Sequence, residues 1–108
     1  MRIITGTAKG CKLKTPKGMD TRPTADRIKE SLFNILGTDI IGTHVLDIFA
    51  GTGNLGLEAL SRGAIDAVFV DQSMDSVSII KQNAEHTKLA ESAEIMKCDV
   101  FTAMKKLQ

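Results

Sequence analysis

The 108-residue chain is 43% hydrophobic and 25% charged, carries a formal net charge of +1 and contains two cysteines. This length provides for one domain with a modest core, and the composition is that of an ordinary globular protein. No apolar run reaches the roughly 18 residues of a membrane span, the N-terminus lacks the apolar stretch of a signal peptide, and Cys11 and Cys98 have no metal or redox spacing. We therefore expect a cytoplasmic protein with no membrane segment and no metal site.

The charge is distributed unevenly along the chain. Residues 1–37 contain eight basic and three acidic residues, a net charge of +5, whereas residues 38–108 contain six basic and ten acidic residues, a net charge of −4. A basic segment ahead of a mildly acidic body indicates a polyanionic partner. Lysines that are merely solvated on a small hairpin are the alternative at this point.

The first 37 residues predict a hairpin followed by a helix. Arg2–Thr5 and Cys11–Lys14 form two short strands, and the link between them has a glycine at each end. Thr15–Pro23 is predicted as a loop, and Thr24 then caps a helix that Gly37 ends. The apolar positions that fall on one face of this helix are Ile28, Leu32, Ile35 and Leu36.

From residue 44 onward, predicted strands and helices alternate. The strands are Val45–Phe49, Ala67–Val70 and Ala93–Met96, and the helices are Leu55–Arg62, one capped by Ser73, and Phe101–Leu107. The residues expected to face the core from the first two helices are Leu55, Ala59, Leu60, Val77, Ile80 and Ala84. This alternation predicts an α/β fold with a Rossmann-like, doubly wound and mainly parallel sheet.

A glycine-rich loop, Gly51-x-Gly53-x-x-Gly56, joins the first of these strands to the first helix. Glycine lets backbone N–H groups approach a ligand closely, and the following helix directs its positive N-terminus to the same place. The spacing also fits a dinucleotide-binding fingerprint.

Each of the three predicted strands carries an aspartate at or near its carboxyl end. These residues are Asp47, Asp71 and Asp99, and ligands of such sheets bind beyond this end of the strands. A carboxylate at position 71 can accept both hydroxyls of a ribose, and one at position 99 can accept a hydrogen bond from the exocyclic amine of adenine. The negative charge of Asp47 beside the loop favours the cationic S-adenosylmethionine over the pyrophosphate of NAD, although NAD stays open as an alternative.

The chain resembles the RsmD-type 16S ribosomal RNA guanine-N2 methyltransferases. The segment Asp47–Ala64 is similar to the first motif of that family. Arg2-Ile3-Ile4 with Gly6 and Lys9-Gly10 resembles the family's N-terminal hairpin, and Thr21–Thr24 with Asp26-Arg27 and Leu32-Phe33-Asn34 resembles the helix that precedes its catalytic domain.

The resemblance implies a class I methyltransferase fold that uses S-adenosylmethionine to methylate the exocyclic N2 of a guanine in small-subunit ribosomal RNA. Residues 1–37 would form a basic, RNA-facing hairpin and helix, and residues 38–108 the cofactor-binding half of the methyltransferase domain. The implied cofactor-binding residues are Asp47, Phe49, Ala50, Gly51, Thr52, Gly53, Gly56, Asp71, Gln72, Asp99 and Val100. The implied RNA-binding residues are Arg2, Lys9, Lys12, Lys14, Arg22 and Arg27.

One family motif is absent from this sequence. Such enzymes hold the target amine with an Asn/Asp-Pro-Pro-aromatic motif, whereas the prolines here are Pro16 and Pro23 and the chain has no Tyr or Trp. We therefore expect a chain truncated before the catalytic motif, with unknown catalytic residues, no methyl transfer by itself, and self-association through the exposed edge of Val45–Phe49. An NAD-linked oxidoreductase half-domain and a non-catalytic RNA-binding module are the alternatives.

Overall fold

The computed structural model describes residues 1–15, 23–48 and 50–108. Its helices and strands are α1 (Pro23–Leu36), β1 (His44–Asp47), α2 (Asn54–Ser61), β2 (Asp66–Asp71), α3 (Met74–His86), β3 (Ala93–Lys97) and α4 (Val100–Lys106), with 3₁₀ turns at Gly37–Ile40 and Ala90–Ser92. The alternation of strand and helix predicted after residue 43 is confirmed. Within the described residues no helix is long and apolar enough to cross a membrane.

The three strands form one parallel sheet in the order β1-β2-β3. Asp47 at the end of β1 lies opposite Phe69 of β2, and Asp71 at the end of β2 lies opposite Lys97 of β3. All carboxyl ends therefore meet at the same end of the sheet, as the sequence predicted. Phe49, predicted as the last residue of the first strand, lies outside the described residues.

Helix α2 is the centre of the core and is buried along nearly its whole length. Leu57 and Leu60 pack into one hydrophobic cluster with Phe69 of β2 and Ile80 of α3. The prediction that Leu55 faces inward was wrong, because its side chain is 44% exposed. Side chains two positions apart in an α-helix point in directions about 200° apart. Leu55 therefore faces away from the sheet when Leu57 faces it.

The apolar face predicted for α1 does not pack on the core within the described residues. The exposed fractions of its side chains are 65% for Ile28, 42% for Leu32, 83% for Ile35 and 37% for Leu36. The residues that α1 buries are instead Lys29, 2% exposed, and Phe33, 4% exposed. These two are four positions apart and so share a face, which is the face directed at α2.

The start of α1 also differs from the prediction. The helix begins at Pro23, so Thr24, predicted as its cap, lies inside the first turn. Proline is favoured at the first helical position, because its φ angle is already helical and its missing N–H would have no partner there. The predicted loop over Thr15–Pro23 falls largely on residues 16–22, which lie outside the described residues.

The N-terminal hairpin is present, but its two predicted strands are reduced to one antiparallel bridge between Arg2 and Lys12. Backbone hydrogen bonds from Ile3 N–H to the Cys11 carbonyl (2.9 Å) and from Leu13 N–H to the Met1 carbonyl (2.7 Å) hold it together. Beyond this bridge, the N–H groups of Ile4 and Thr5 donate to the Glu58 carboxylate of α2. The hairpin is thus joined to the core of the protein: Ile3, Ala8 and Leu13 are buried in the same cluster as α2.

Candidate cofactor site at the carboxyl ends of the strands

The loop between β1 and α2 is a tight turn that depends on two glycines. Gly51 and Gly53 have φ angles of +57° and +82°, a region that other residues rarely adopt. The Gly53 N–H donates to the Ala50 carbonyl (2.7 Å), and the Ala50 N–H donates to the Val70 carbonyl of β2 (3.1 Å). A side chain built on Gly51 would meet no atom within 4 Å, so the outer surface of this turn is open to a ligand.

Gly56, the third glycine of the loop motif, faces the sheet. It lies in the first turn of α2, and a Cβ added to it would stand 2.2 Å from Cε1 of the buried Phe69. This glycine therefore allows α2 to pack closely on β2. Its N–H donates to Oδ2 of Asp47 (3.3 Å), which connects the end of β1 to the positive N-terminus of α2.

The Asp71 carboxylate holds the glycine loop in place. Its Oδ2 accepts the Gly51 N–H at 3.0 Å, and its Oδ1 accepts the Ser73 N–H at 2.9 Å. A carboxylate can accept about four hydrogen bonds, so these two leave capacity for a pair of ligand hydroxyls. Gln72, the next residue, is exposed.

Asp99 lies on the neighbouring strand connection and caps α4. Its Oδ1 accepts the Thr102 N–H (2.7 Å) and its Oδ2 accepts the Thr102 hydroxyl (3.1 Å). These two hydrogen bonds hold the pKa of Asp99 below its ordinary value. A backbone hydrogen bond from Cys98 N–H to the Asp71 carbonyl (3.2 Å) keeps the two strand ends adjacent. Asp99 therefore has a structural role, and it directly follows Cys98, whose N–H donates to the Asp71 carbonyl.

The predicted cofactor residues differ in how far they are accessible. Gly51, Thr52, Asp71 and Val100 are partly exposed and Asp99 is exposed, whereas Ala50, Gly53 and Gly56 are buried. The exposed and half-buried members lie along the carboxyl ends of the strands. The buried members shape the turn behind them.

The predicted RNA-binding residues are exposed wherever the structure describes them. Arg2, Lys9, Lys12, Lys14 and Arg27 all have exposed side chains, and Arg22 lies outside the described residues. Lys29 contributes to the positive charge of residues 1–37, but it is buried in an ion pair and is not part of this surface.

Sequence reasoning missed a buried polar network centred on Glu58. The Glu58 carboxylate is fully buried, with Oε1 3.0 Å from Lys29 Nζ and Oε2 2.9 Å from Arg62 Nε. Burial by itself raises the pKa of Glu58, but the hydrogen bonds from the Ile4 N–H, Lys29 and Arg62 outweigh that effect and lower it. Arg62 also stacks on the Phe33 ring, 4.8 Å from its centroid. The spacing of Glu58 and Arg62 is that of a helical ion pair, but nothing in the sequence pattern indicates the partner at position 29.

Among the described residues, no group of three or more His, Cys, Asp or Glu side chains is placed to hold a metal ion. The functional chemistry at the strand ends is that of hydrogen-bond acceptors and backbone N–H donors around a glycine turn.

A parallel sheet with this loop defines a Rossmann-like α/β domain, and comparisons of structure place it in the methyltransferase class of that fold. The yhhF structure of Escherichia coli superposes with a TM-score of 0.86 and 38% identity, over 96% of this chain and 56% of that one. The C-terminal domain of precorrin-6Y C5,15-methyltransferase from Rhodobacter capsulatus shares the fold, with a TM-score of 0.74 at 16% identity, over 89% of this chain and 49% of that one.

The chain belongs to the family described as Conserved hypothetical protein 95, whose sequence profile matches residues 1–108. YlbH of Bacillus subtilis is 42% identical over 104 residues, which are 96% of this chain and 56% of YlbH. The Ribosomal RNA small subunit methyltransferase D of Escherichia coli is 49% identical over 71 residues, 66% of this chain and 36% of that protein. The chain thus spans about half the length, or less, of these relatives.

Proposed function

We propose that this chain binds S-adenosylmethionine at the carboxyl ends of its strands and contributes to methylation of the exocyclic N2 of a guanine in small-subunit ribosomal RNA. The observation that carries the proposal is the Asp71 carboxylate. Its Oδ2 accepts a hydrogen bond from the Gly51 N–H at 3.0 Å. The carboxylate can accept further hydrogen bonds from a ligand, and it lies at the end of the sheet where ligands of such folds bind. The name of the E. coli relative, Ribosomal RNA small subunit methyltransferase D, supports methylation of small-subunit ribosomal RNA, and the guanine N2 target is inferred from the family resemblance alone.

The residues at the strand ends fit the chemical groups of S-adenosylmethionine. The free acceptor positions of Asp71 suit the two ribose hydroxyls, and the exposed Asp99 suits the adenine amine. The open turn at Gly51 suits the methionine portion, whose positive charges Asp47 would attract and whose carboxylate the N-terminus of α2 would favour. When bound, this cofactor supplies an electrophilic methyl group on its sulfonium, and the chain's own residues bind and orient it.

The exposed basic residues of the N-terminal segment support the RNA part of the proposal. Arg2, Lys9, Lys12 and Lys14 lie on the hairpin, and Arg27 lies on α1. Contacts of such side chains with phosphates contribute affinity and positioning, but little sequence information. We propose residues 1–37 as the RNA-facing element and residues 38–108 as the cofactor-binding element of a protein that acts in the cytoplasm, where ribosomal RNA is found.

The Asn/Asp-Pro-Pro-aromatic motif is absent from the sequence. The proposal for this chain is therefore cofactor and RNA binding, without methyl transfer by the chain alone. A methylation assay with the isolated 108-residue chain and small-subunit ribosomal RNA checks this directly, and measurable turnover would contradict it.

Calorimetry with S-adenosylhomocysteine, the demethylated product, tests cofactor binding. We expect binding by the unmodified chain and at least tenfold weaker binding by Asp71→Ala, because each lost hydrogen bond to a charged group is worth about 1.5–3 kcal/mol. Asp39→Ala is the matched control, since it removes an exposed aspartate from the 3₁₀ turn Gly37–Ile40, which precedes the amino end of β1. Equal affinities of the two variants, or binding of NAD in place of S-adenosylhomocysteine, would contradict the proposal.

A further inference from the structure

The side chain of Asn83 in α3 connects the glycine loop to the N-terminal hairpin. Asn83 is 1% exposed. Its Nδ2 donates to the Thr52 carbonyl of the loop (2.8 Å) and to the Lys14 carbonyl of the hairpin (3.0 Å), and its Oδ1 accepts the Lys14 N–H (2.7 Å). Both amide hydrogens are therefore used and the oxygen accepts one hydrogen bond, so this buried side chain bridges two segments that are distant in sequence.

A second buried side chain holds the opposite flank of the same loop. The Nζ of Lys29 donates to Oδ1 of Asn54, the first residue of α2, and to the Arg2 carbonyl, both at 2.7 Å. It also forms the ion pair with Glu58 at 3.0 Å. Lys29 thus bonds the hairpin backbone at Arg2, in its first strand, and Asn83 bonds it at Lys14, in its second.

These contacts matter because the loop has little conformational preference of its own. Thr52 and Asn54 flank Gly53, and a glycine samples many backbone conformations. Inside the turn, the hydrogen bond from Gly53 N–H to the Ala50 carbonyl limits that freedom. The carbonyl of Thr52 is directed by Asn83, so the orientation of the peptide that joins Thr52 to Gly53 depends on a side chain from α3.

We propose that Asn83 is a positioning residue for cofactor binding. It fixes the peptide between Thr52 and Gly53 in the conformation that presents the loop to the cofactor, and it does so from an anchor on the hairpin backbone at Lys14. The inference rests on the proposed binding of S-adenosylmethionine at this loop. Through Asn83, the RNA-facing hairpin then helps to hold the cofactor loop in place.

The test compares Asn83→Leu with Thr87→Val in the 108-residue chain. Asn83→Leu removes all three hydrogen bonds while approximately preserving volume. Thr87→Val is the matched control, because Thr87 is also buried, directly follows the last residue of α3 and donates its hydroxyl to two carbonyls of that helix, those of Asn83 and Ala84. Both variants lose buried hydrogen bonds, and only the first loses contact with the loop.

Two measurements separate positioning from general stability: calorimetric affinity for S-adenosylhomocysteine and amide hydrogen exchange at Gly53. For Asn83→Leu we expect at least tenfold weaker binding and at least tenfold faster exchange of the Gly53 N–H. For Thr87→Val we expect both quantities to stay within about twofold of the unmodified chain. Equal changes in the two variants would overturn the proposal.

A second variant keeps the test decisive if Asn83→Leu does not fold. Asn83→Asp retains an acceptor for the Lys14 N–H but loses the donor to the Thr52 carbonyl, and we expect it to change both readouts in the same direction. If the unmodified chain does not bind S-adenosylhomocysteine, the proposed function fails. In that case the exchange rate at Gly53 still decides whether Asn83 positions the loop.

Discussion

Gly6 faces the backbone of Ser61 at the end of α2, and replacing it tests how the hairpin is attached. A Cβ built on Gly6 would lie 1.8 Å from the Ser61 carbonyl oxygen. That oxygen accepts the Thr7 N–H at 2.9 Å, and the Ser61 hydroxyl oxygen accepts the Ala8 N–H at 2.9 Å. A methyl group at position 6 can be accommodated only if the hairpin moves away from the helix and lengthens these bonds.

The size of the effect follows from a comparison with Gly10 in the same hairpin. Gly6 and Gly10 have φ angles of +95° and +87°, so alanine costs about 1–2 kcal/mol of backbone strain at either position. A Cβ on Gly10 meets nothing within 4 Å. At Gly6 the loss of one or two buried hydrogen bonds adds about 1–3 kcal/mol for each polar group left unpaired. We expect Gly6→Ala to be about 3 kcal/mol less stable than Gly10→Ala.

Urea denaturation followed by circular dichroism measures the free energy of unfolding of the two variants and of the unmodified chain. A difference of about 3 kcal/mol is a large part of the roughly 5–15 kcal/mol by which domains are stable. If the two alanine variants agree within about 0.5 kcal/mol, the hairpin is not docked on α2 as described, and the reasoning is refuted.

Three further predictions concern the packing of α2, its buried charge and the free edge of β1. Gly56→Ala should lower the free energy of unfolding by about 1–2 kcal/mol, because crowding against Phe69 exceeds the gain in helix propensity. Adding Phe69→Leu to the same chain should reduce the loss of stability that Gly56→Ala causes. Because the pKa of Glu58 is lowered in the folded chain, its stabilising effect is complete above the ordinary carboxyl pKa and is lost as pH falls through the lower folded value. Thermal unfolding should therefore show Glu58→Gln less stable than the unmodified chain at neutral pH, with the two stabilities converging below about pH 4. A difference in stability that does not change with pH would contradict this prediction. Within the described residues β1 pairs only with β2 and Leu46 is 46% exposed, so sedimentation velocity should show concentration-dependent self-association, and a stable monomer at high concentration would count against it.

The sheet and the loop could be predicted because their signals are local. Gly51 follows the predicted apolar strand Val45–Phe49 after one residue and precedes an amphipathic helix, and the composition of each segment predicts its own secondary structure. The parallel order then follows from the alternation of strands and helices. The meeting of Asp71 with Gly51 is a consequence of that order, and the structure shows it as a hydrogen bond.

The attachment of the N-terminal segment could not be predicted, because it depends on contacts between distant residues. Lys29 and Glu58 are 29 positions apart, and charged side chains are ordinarily assigned to the surface. The sequence places the apolar residues of α1 on one face of the helix, whereas the structure buries Lys29 and leaves Ile35 83% exposed. The role of Asn83 could not be predicted for the same reason, since a single asparagine within a helix forms no recognisable sequence pattern.

The central claim is that the carboxyl ends of the three strands form one binding surface for S-adenosylmethionine. Titration of the ¹⁵N-labelled chain with S-adenosylhomocysteine, followed by amide chemical shifts, tests it most directly. We expect saturable shifts that are largest at Gly51–Gly53, Asp71–Gln72 and Asp99–Val100, with one common dissociation constant. Shifts absent from these segments at saturating ligand, or following different dissociation constants at different strand ends, would contradict it.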